Sequence, residues 1–294
     1  MLILHGTNVP QSGNAAYPFG GESMIGALAK RGLDVWGLDF YGFGKSDRFL
    51  EMAEPASANA PLNRAAMAAE QVDAAITFLR RHGGGRPIML IGDSQGSLAA
   101  GIYTAHHPET IARLVLFGPI TPFSGGAAPQ SVPAYRLVTP QDLWARFSSW
   151  AEQAGPPSLL DSSMYEAWAK DFLDSDPASR TRTPPSVRVP NGPTADGAEV
   201  ASARFPYDPS MIRSDTLIVM GETDQVATLP GAQWLLAALR NAPHRRLTVI
   251  GHASHTIQYE AERFQLYDVL ADFLTEAASS APIPLHVQSG RQKQ

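Results

Sequence analysis

The sequence contains no cysteine. Disulfide staples, thiolate nucleophiles and cysteine-ligated metals are therefore excluded. It also lacks any apolar run near the roughly 20 residues that a spanning helix needs, so no membrane partner is expected. Charge is sparse at 17%, and the balance is mildly acidic, −5 overall with a pI of 5.9. No basic run marks a nucleic-acid or membrane surface. The opening MLILHG has no charged segment ahead of a cleavable apolar stretch. No signal peptide is expected from it, and a cytoplasmic location is the expectation. H-E-x-x-H is absent too, and neither a metal nor a cofactor is expected. What remains is a globular composition, 44% hydrophobic over 294 residues. That is enough for a full core in one large domain or two small ones.

The most informative stretch is 87–97, PIMLIGDSQGS. Four apolar residues run unbroken into Gly92-Asp93-Ser94-Gln95-Gly96, and a small-residue, helix-compatible segment follows to 106. A short apolar run against a turn signal fits a strand buried on both faces, as in a parallel sheet. Small residues two before and two after the serine let the chain turn sharply from strand to helix. That turn lifts the hydroxyl clear of the sheet edge. Ser94 is the candidate nucleophile. Gly44-Lys45-Ser46 has the look of a phosphate-cradling loop, but such a loop needs glycine five positions earlier and Asp39 stands there.

Strands are expected at 2–4, 33–39, 88–91, 111–118, 215–221 and 246–250. Helices are expected at 22–31, from 63 to the glycines at 83–85, and at 97–106, 230–240 and 260–275. Strands alternating with helices imply an α/β fold with a mostly parallel sheet and helices on both faces. The interval 119–214 breaks the rhythm. It holds two helical patterns, Leu143, Phe147, Trp150 and Met164, Trp168, Phe172. It reads as a largely helical cap, 119–210, inserted between core segments 1–118 and 211–276. The polar tail 277–294 is expected to be poorly ordered. Trp144, Trp150, Trp168 and Phe172 either pack on one another or roof a substrate pocket.

A serine hydroxyl needs a base within reach, and the base needs an orienting acid. The acid is expected just past a late strand, which points to Asp224, with Glu222 as its rival. The base is expected after the last strand, where His252 and His255 both stand; His255 lies further out in the loop and is favoured. An oxyanion needs fixed donors. The Gln95 backbone N–H at the helix start is one. Thr7, after the first strand, offers the second, with Asn8 beside it. His5 reads as a structural neighbour of the site.

Taken together, His5-Gly6, Asp39…Gly42…Gly44…Ser46, Gly92-Asp93-Ser94-Gln95-Gly96, Gly221…Asp224 and Gly251…His255 resemble the α/β-hydrolase fold family in pattern and order. The resemblance implies hydrolysis through an acyl-serine intermediate with Ser94, His255 and Asp224, without cofactor or metal. With an aromatic cap, the expected substrate is a carboxylic ester or lactone of an apolar or aromatic small molecule. Acyl transfer, thioester or amide cleavage and carbon–carbon bond hydrolysis use the same triad. A ligand-binding module that keeps the fold is the non-enzyme alternative. Relatives usually carry two strands ahead of the His-Gly strand, so either the chain is shortened at its N-terminus or 33–39 is an edge covered by homodimerisation.

Overall fold

The computed structural model describes residues 1–122, 131–154 and 162–276, and the tail at 277–294 lies outside them. The first half alternates as expected: β1 (Leu2–Leu4), α1 (Met24–Lys30), β2 (Trp36–Leu38), α2 (Ala65–His82), β3 (Ile88–Asp93), α3 (Gly96–His106) and β4 (Ile111–Phe117). An interposed segment then contributes β5 (Tyr135–Val138), α4 (Pro140–Ala154), α5 (Tyr165–Asp174), β6 (Val187–Pro190) and α6 (Gly192–Ala201). The chain returns to the sheet with β7 (Asp215–Gly221), α7 (Leu229–Ala238), β8 (Arg245–Ile250) and α8 (Arg263–Thr275).

Six strands form one parallel sheet in the order β2-β1-β3-β4-β7-β8. Alternate residues of the central strands feed two cores. Leu2, Leu4, Leu90, Leu114, Leu116, Ile218 and Met220 pack with residues of α2, α3 and α7. Ile3, Ile91, Val115, Phe117, Leu217 and Val219 pack with α1 and α8. The period-2 alternation of a strand, apolar on both sides, explains why these runs look continuous in sequence. A parallel sheet of this kind places every strand's carboxyl end on one rim, where ligands sit in open α/β folds.

One expectation needs correction. The strand expected at 33–39 is only three residues long. Its partner β1 begins at Leu2, so pairing starts at Leu2↔Trp36 and ends at Leu4↔Leu38. β2 lies at the sheet edge, with Trp36 41% exposed. The interposed segment is largely helical and also holds a short strand pair that the sequence reading did not single out: β5 and β6 pair antiparallel, from Tyr135↔Pro190 to Val138↔Val187. Four residues per strand are too few to stand out beside the longer helical patterns. No helix among the described residues is long and apolar enough to cross a membrane.

Candidate active site

The turn after β3 is forced by local geometry. Ser94 has a φ of +51°, a conformation side chains resist. Its N–H donates to the Phe117 carbonyl at 2.8 Å, and its carbonyl accepts from Ser97 N–H at 2.9 Å, so the residue is pinned between β4 and α3. The flanking glycines are required by space. A Cβ on Gly92 would sit 2.6 Å from the Gly96 carbonyl oxygen, and one on Gly96 2.8 Å from the His5 oxygen. Backbone strain held by surrounding structure at such a turn is what presents a side chain at the rim.

Three side chains from distant parts of the chain meet there. Ser94 Oγ lies 2.9 Å from His255 Nε2. His255 Nδ1 lies 2.9 Å from both Asp224 carboxylate oxygens. Asp224 is itself held, its Oδ1 accepting from the Val226 and Ala227 N–H groups at 2.8 and 2.7 Å. The His255 loop is shaped from below by buried Glu260, which accepts from the Ser254 N–H at 2.9 Å, the Thr256 hydroxyl at 3.0 Å and the Ser254 hydroxyl. Burial pulls the His255 pKa down. The charge and hydrogen bond of Asp224, with Asp93 behind, outweigh that and leave it above its ordinary 6.5. The two rivals stand apart from this relay: Glu222 Oε2 accepts from the backbone N–H of His252 at 3.0 Å, and His252 is exposed to solvent. His5 is buried, with Nδ1 donating to the Gly6 carbonyl and Nε2 accepting from Phe40 N–H, which fixes the loop beside Thr7.

Ser94 and His255 open on a cavity of about 390 Å³, within the size range of small-molecule sites. Thr7, Asn8 and Gln95 line it beside Ser94. Among the described residues no hydrogen bond engages the backbone N–H of Thr7 or Gln95. The Gln95 side chain is tied to the interposed segment, donating to Asp196 Oδ2 of α6 at 3.2 Å. Asp196 also accepts from Arg64 and from the Ala65 N–H at the start of α2. Of the aromatic residues expected at the pocket, only Trp150 lines it, its indole edge-on to the His255 ring at 5.6 Å. Trp144, Trp168 and Phe172 do not. Trp168 and Phe172 are fully buried and stacked at 5.3 Å, and the Trp168 indole N–H donates to the Gly13 carbonyl. They pack the segment against the core instead of facing the cavity. The walls that sequence reasoning missed are Arg136, Arg146, Phe147 and Tyr259. Among the described residues, no cluster of three or more His, Asp or Glu could hold a metal ion.

Asp93, directly before Ser94, also lines the cavity, and its Oδ2 accepts from Asn14 Nδ2 at 2.8 Å. Burial pushes its pKa up from 3.8 to about 6, against the pull of Asn14 and His255. A carboxyl whose pKa rises on folding binds its proton more tightly when folded. Stability is therefore lost as pH climbs from about 4 through 6 and stays lost above. Asp93→Asn keeps an oxygen for Asn14 and removes that cost. It is expected to gain on the order of 2–3 kcal/mol at pH 7.5 and almost nothing at pH 4, read by urea unfolding at both pH values. An equal gain at both would show that charge burial is not the cause.

Comparison with known proteins adds the context. The alpha/beta hydrolase fold family matches residues 1–262. The chain is 26% identical over 286 residues to a 2-hydroxy-6-oxononadienedioate/2-hydroxy-6-oxononatrienedioate hydrolase of Paraburkholderia phymatum, covering 93% of this chain and 86% of that protein. Among solved structures it is similar to a meta-cleavage product hydrolase from Pseudomonas fluorescens IP01. There the TM-score is 0.60 at 17% identity, over 93% of this chain and 89% of the other. It is also similar to an esterase from Exiguobacterium antarcticum, with TM-score 0.54, 20% identity, and 94% and 91% coverage.

Proposed function

The chain belongs to the alpha/beta hydrolase fold family and is a hydrolase, and from that premise we propose that Ser94 is its nucleophile, His255 its general base and Asp224 the acid that orients the base. The favoured substrate is a carboxylic ester or lactone with an apolar or aromatic body. The observation that carries this reading is the unbroken relay from Ser94 Oγ through both imidazole nitrogens to the Asp224 carboxylate, open to the cavity at its serine end.

In this mechanism neutral His255 accepts the hydroxyl proton at Nε2 while Ser94 Oγ attacks the carbonyl carbon. Asp224 keeps the other ring proton on Nδ1 and faces the imidazolium charge. The carbonyl oxygen, now an anion, is received by the backbone N–H groups of Gln95 and Thr7. Collapse expels the leaving group, which takes the proton from Nε2 and leaves an acyl-serine. Water, deprotonated by the same nitrogen, then releases the acid and restores the serine. Carbon–carbon bond hydrolysis is a second reading, favoured by the activity for which the Paraburkholderia relative is named. It uses the same residues, with a carbanion in place of the departing oxygen.

A fluorophosphonate probe tests the premise, because it labels only an activated serine. Stoichiometric mass gain mapped to Ser94 is expected. The labelling rate should fall as pH drops, with a midpoint above 6.5, since Asp224 raises the His255 pKa and the protonated ring cannot take a proton. No labelling, or a rate flat down to pH 4, would overturn the assignment.

A further inference from the structure

Two cations face the same cavity from the interposed segment: Arg136 on β5 and Arg146 on α4. Among the described residues neither pairs with a carboxylate. The Arg136 guanidinium donates to neutral oxygens only, on Asn8, Asn191 and Thr194. Among the described residues Arg146 donates to no oxygen; it lies over the Trp150 ring at 5.1 Å and the Phe147 ring at 5.9 Å. Burial lowers the Arg136 pKa to about 10, and the charge of Arg146 adds to the effect. Two like charges held together without a counter-ion are a cost to the empty protein.

Nothing else in the cavity wall offsets them. Asp93 is the single carboxyl among the lining residues, and it is turned to Asn14 and pairs with neither arginine. The arginines also touch the chemistry. Arg136 holds Asn8, next to Thr7 of the oxyanion loop, while Arg146 stacks on the indole that meets His255. A third group in the same wall is incomplete: Gln258 is buried, and among the described residues its Oε1 has no hydrogen-bond partner.

We propose that Arg136 and Arg146 form a carboxylate subsite, so that the substrate of Ser94 is an organic acid whose free carboxylate lies a few bonds from the scissile carbonyl. This deepens the assignment of Ser94 as nucleophile and rests on it. The planar guanidinium of Arg146, already oriented by its aromatic neighbours, presents paired N–H donors that match a carboxylate. The apolar remainder of the substrate lies along Phe147, Trp150 and Val226. A donor on the ligand, such as a hydroxyl, would complete Gln258.

Paired esters test this. Mono-p-nitrophenyl glutarate carries the charge on the acyl side and 4-acetoxybenzoate on the alcohol side. Their neutral counterparts are p-nitrophenyl valerate and phenyl acetate. At least one charged ester is expected to exceed its counterpart tenfold or more in kcat/KM, mainly through KM. In Arg146→Gln that ratio should fall at least tenfold, and Arg146→Lys should recover part of it. No preference for either charged ester, or a preference that survives Arg146→Gln, would overturn the subsite. A binding arm separates this from failure of the Ser94 assignment. Glutarate added to Ser94→Ala should change tryptophan fluorescence saturably and raise Tm, and both responses should weaken at least tenfold in apparent affinity when Arg146→Gln is added. Binding no tighter than that of inorganic phosphate, or unaffected by Arg146→Gln, would count against the subsite whatever the esters do.

Discussion

Ser94→Ala is expected to lower kcat by about 10⁵–10⁶, the scale seen when the nucleophile of another serine enzyme is removed. The loss should be this large because in the proposed mechanism the Oγ is the only atom that bonds to the substrate, and the surrounding machinery has no substitute within reach. His255 Nε2 keeps its position, but without Oγ it can at best activate a water held less well. The fold should survive. Alanine keeps the Cβ and leaves untouched the two backbone hydrogen bonds that pin residue 94 to β4 and α3. The positive φ of residue 94 is already borne by the native chain. Steady-state turnover with an ester found active in the wild type, beside a thermal melt, decides the matter. A Tm within a few degrees of wild type with activity lost points to chemistry. Residual activity within tenfold would sink Ser94 as nucleophile.

The parts of the site visible in the sequence are those that a parallel sheet places by construction. Apolar strands ending in turns locate Ser94, Asp224 and His255 at one rim, because every strand of such a sheet ends on the same side. Small residues around Ser94 announce the turn, since only they fit the close approaches at Gly92 and Gly96. The cavity walls were harder to read. Trp168 and Trp150 are the same residue type on adjacent helices, yet one is fully buried against Gly13 and the other faces His255. Helical periodicity marks an apolar face without saying which partner covers it. Arg136 stands on a four-residue strand whose partner is more than 45 residues away, and Arg146 interrupts an otherwise apolar stripe. An arginine of that kind reads in sequence as solvent-facing. Only the packing of the segment on the core turns it toward Ser94. The link from Asp196 to Gln95, spanning 101 positions, is of the same kind. Local pattern carries the rim, and tertiary packing carries the walls.

Asp224→Asn is expected to cost about 10⁴ in kcat, comparable to the same change in another serine triad, although the side chain differs by one atom. The native carboxylate accepts three hydrogens at once: Val226 N–H and Ala227 N–H on Oδ1, and the His255 Nδ1–H shared across both oxygens. Asparagine has one oxygen and one NH₂. If its oxygen stays on the two backbone donors, the NH₂ points at Nδ1, which must then be an acceptor. The ring proton moves to Nε2, and the nitrogen facing Ser94 can no longer take the hydroxyl proton. If the amide turns over, the NH₂ confronts two backbone N–H groups that have no other partner, at roughly 1–3 kcal/mol for each donor left unsatisfied. The first arrangement is expected, so Tm should fall little while turnover collapses. The fluorophosphonate labelling rate should fall in parallel, because it depends on the same proton transfer. Activity within tenfold of wild type would show that His255 keeps its tautomer without Asp224, and that another group orients the base.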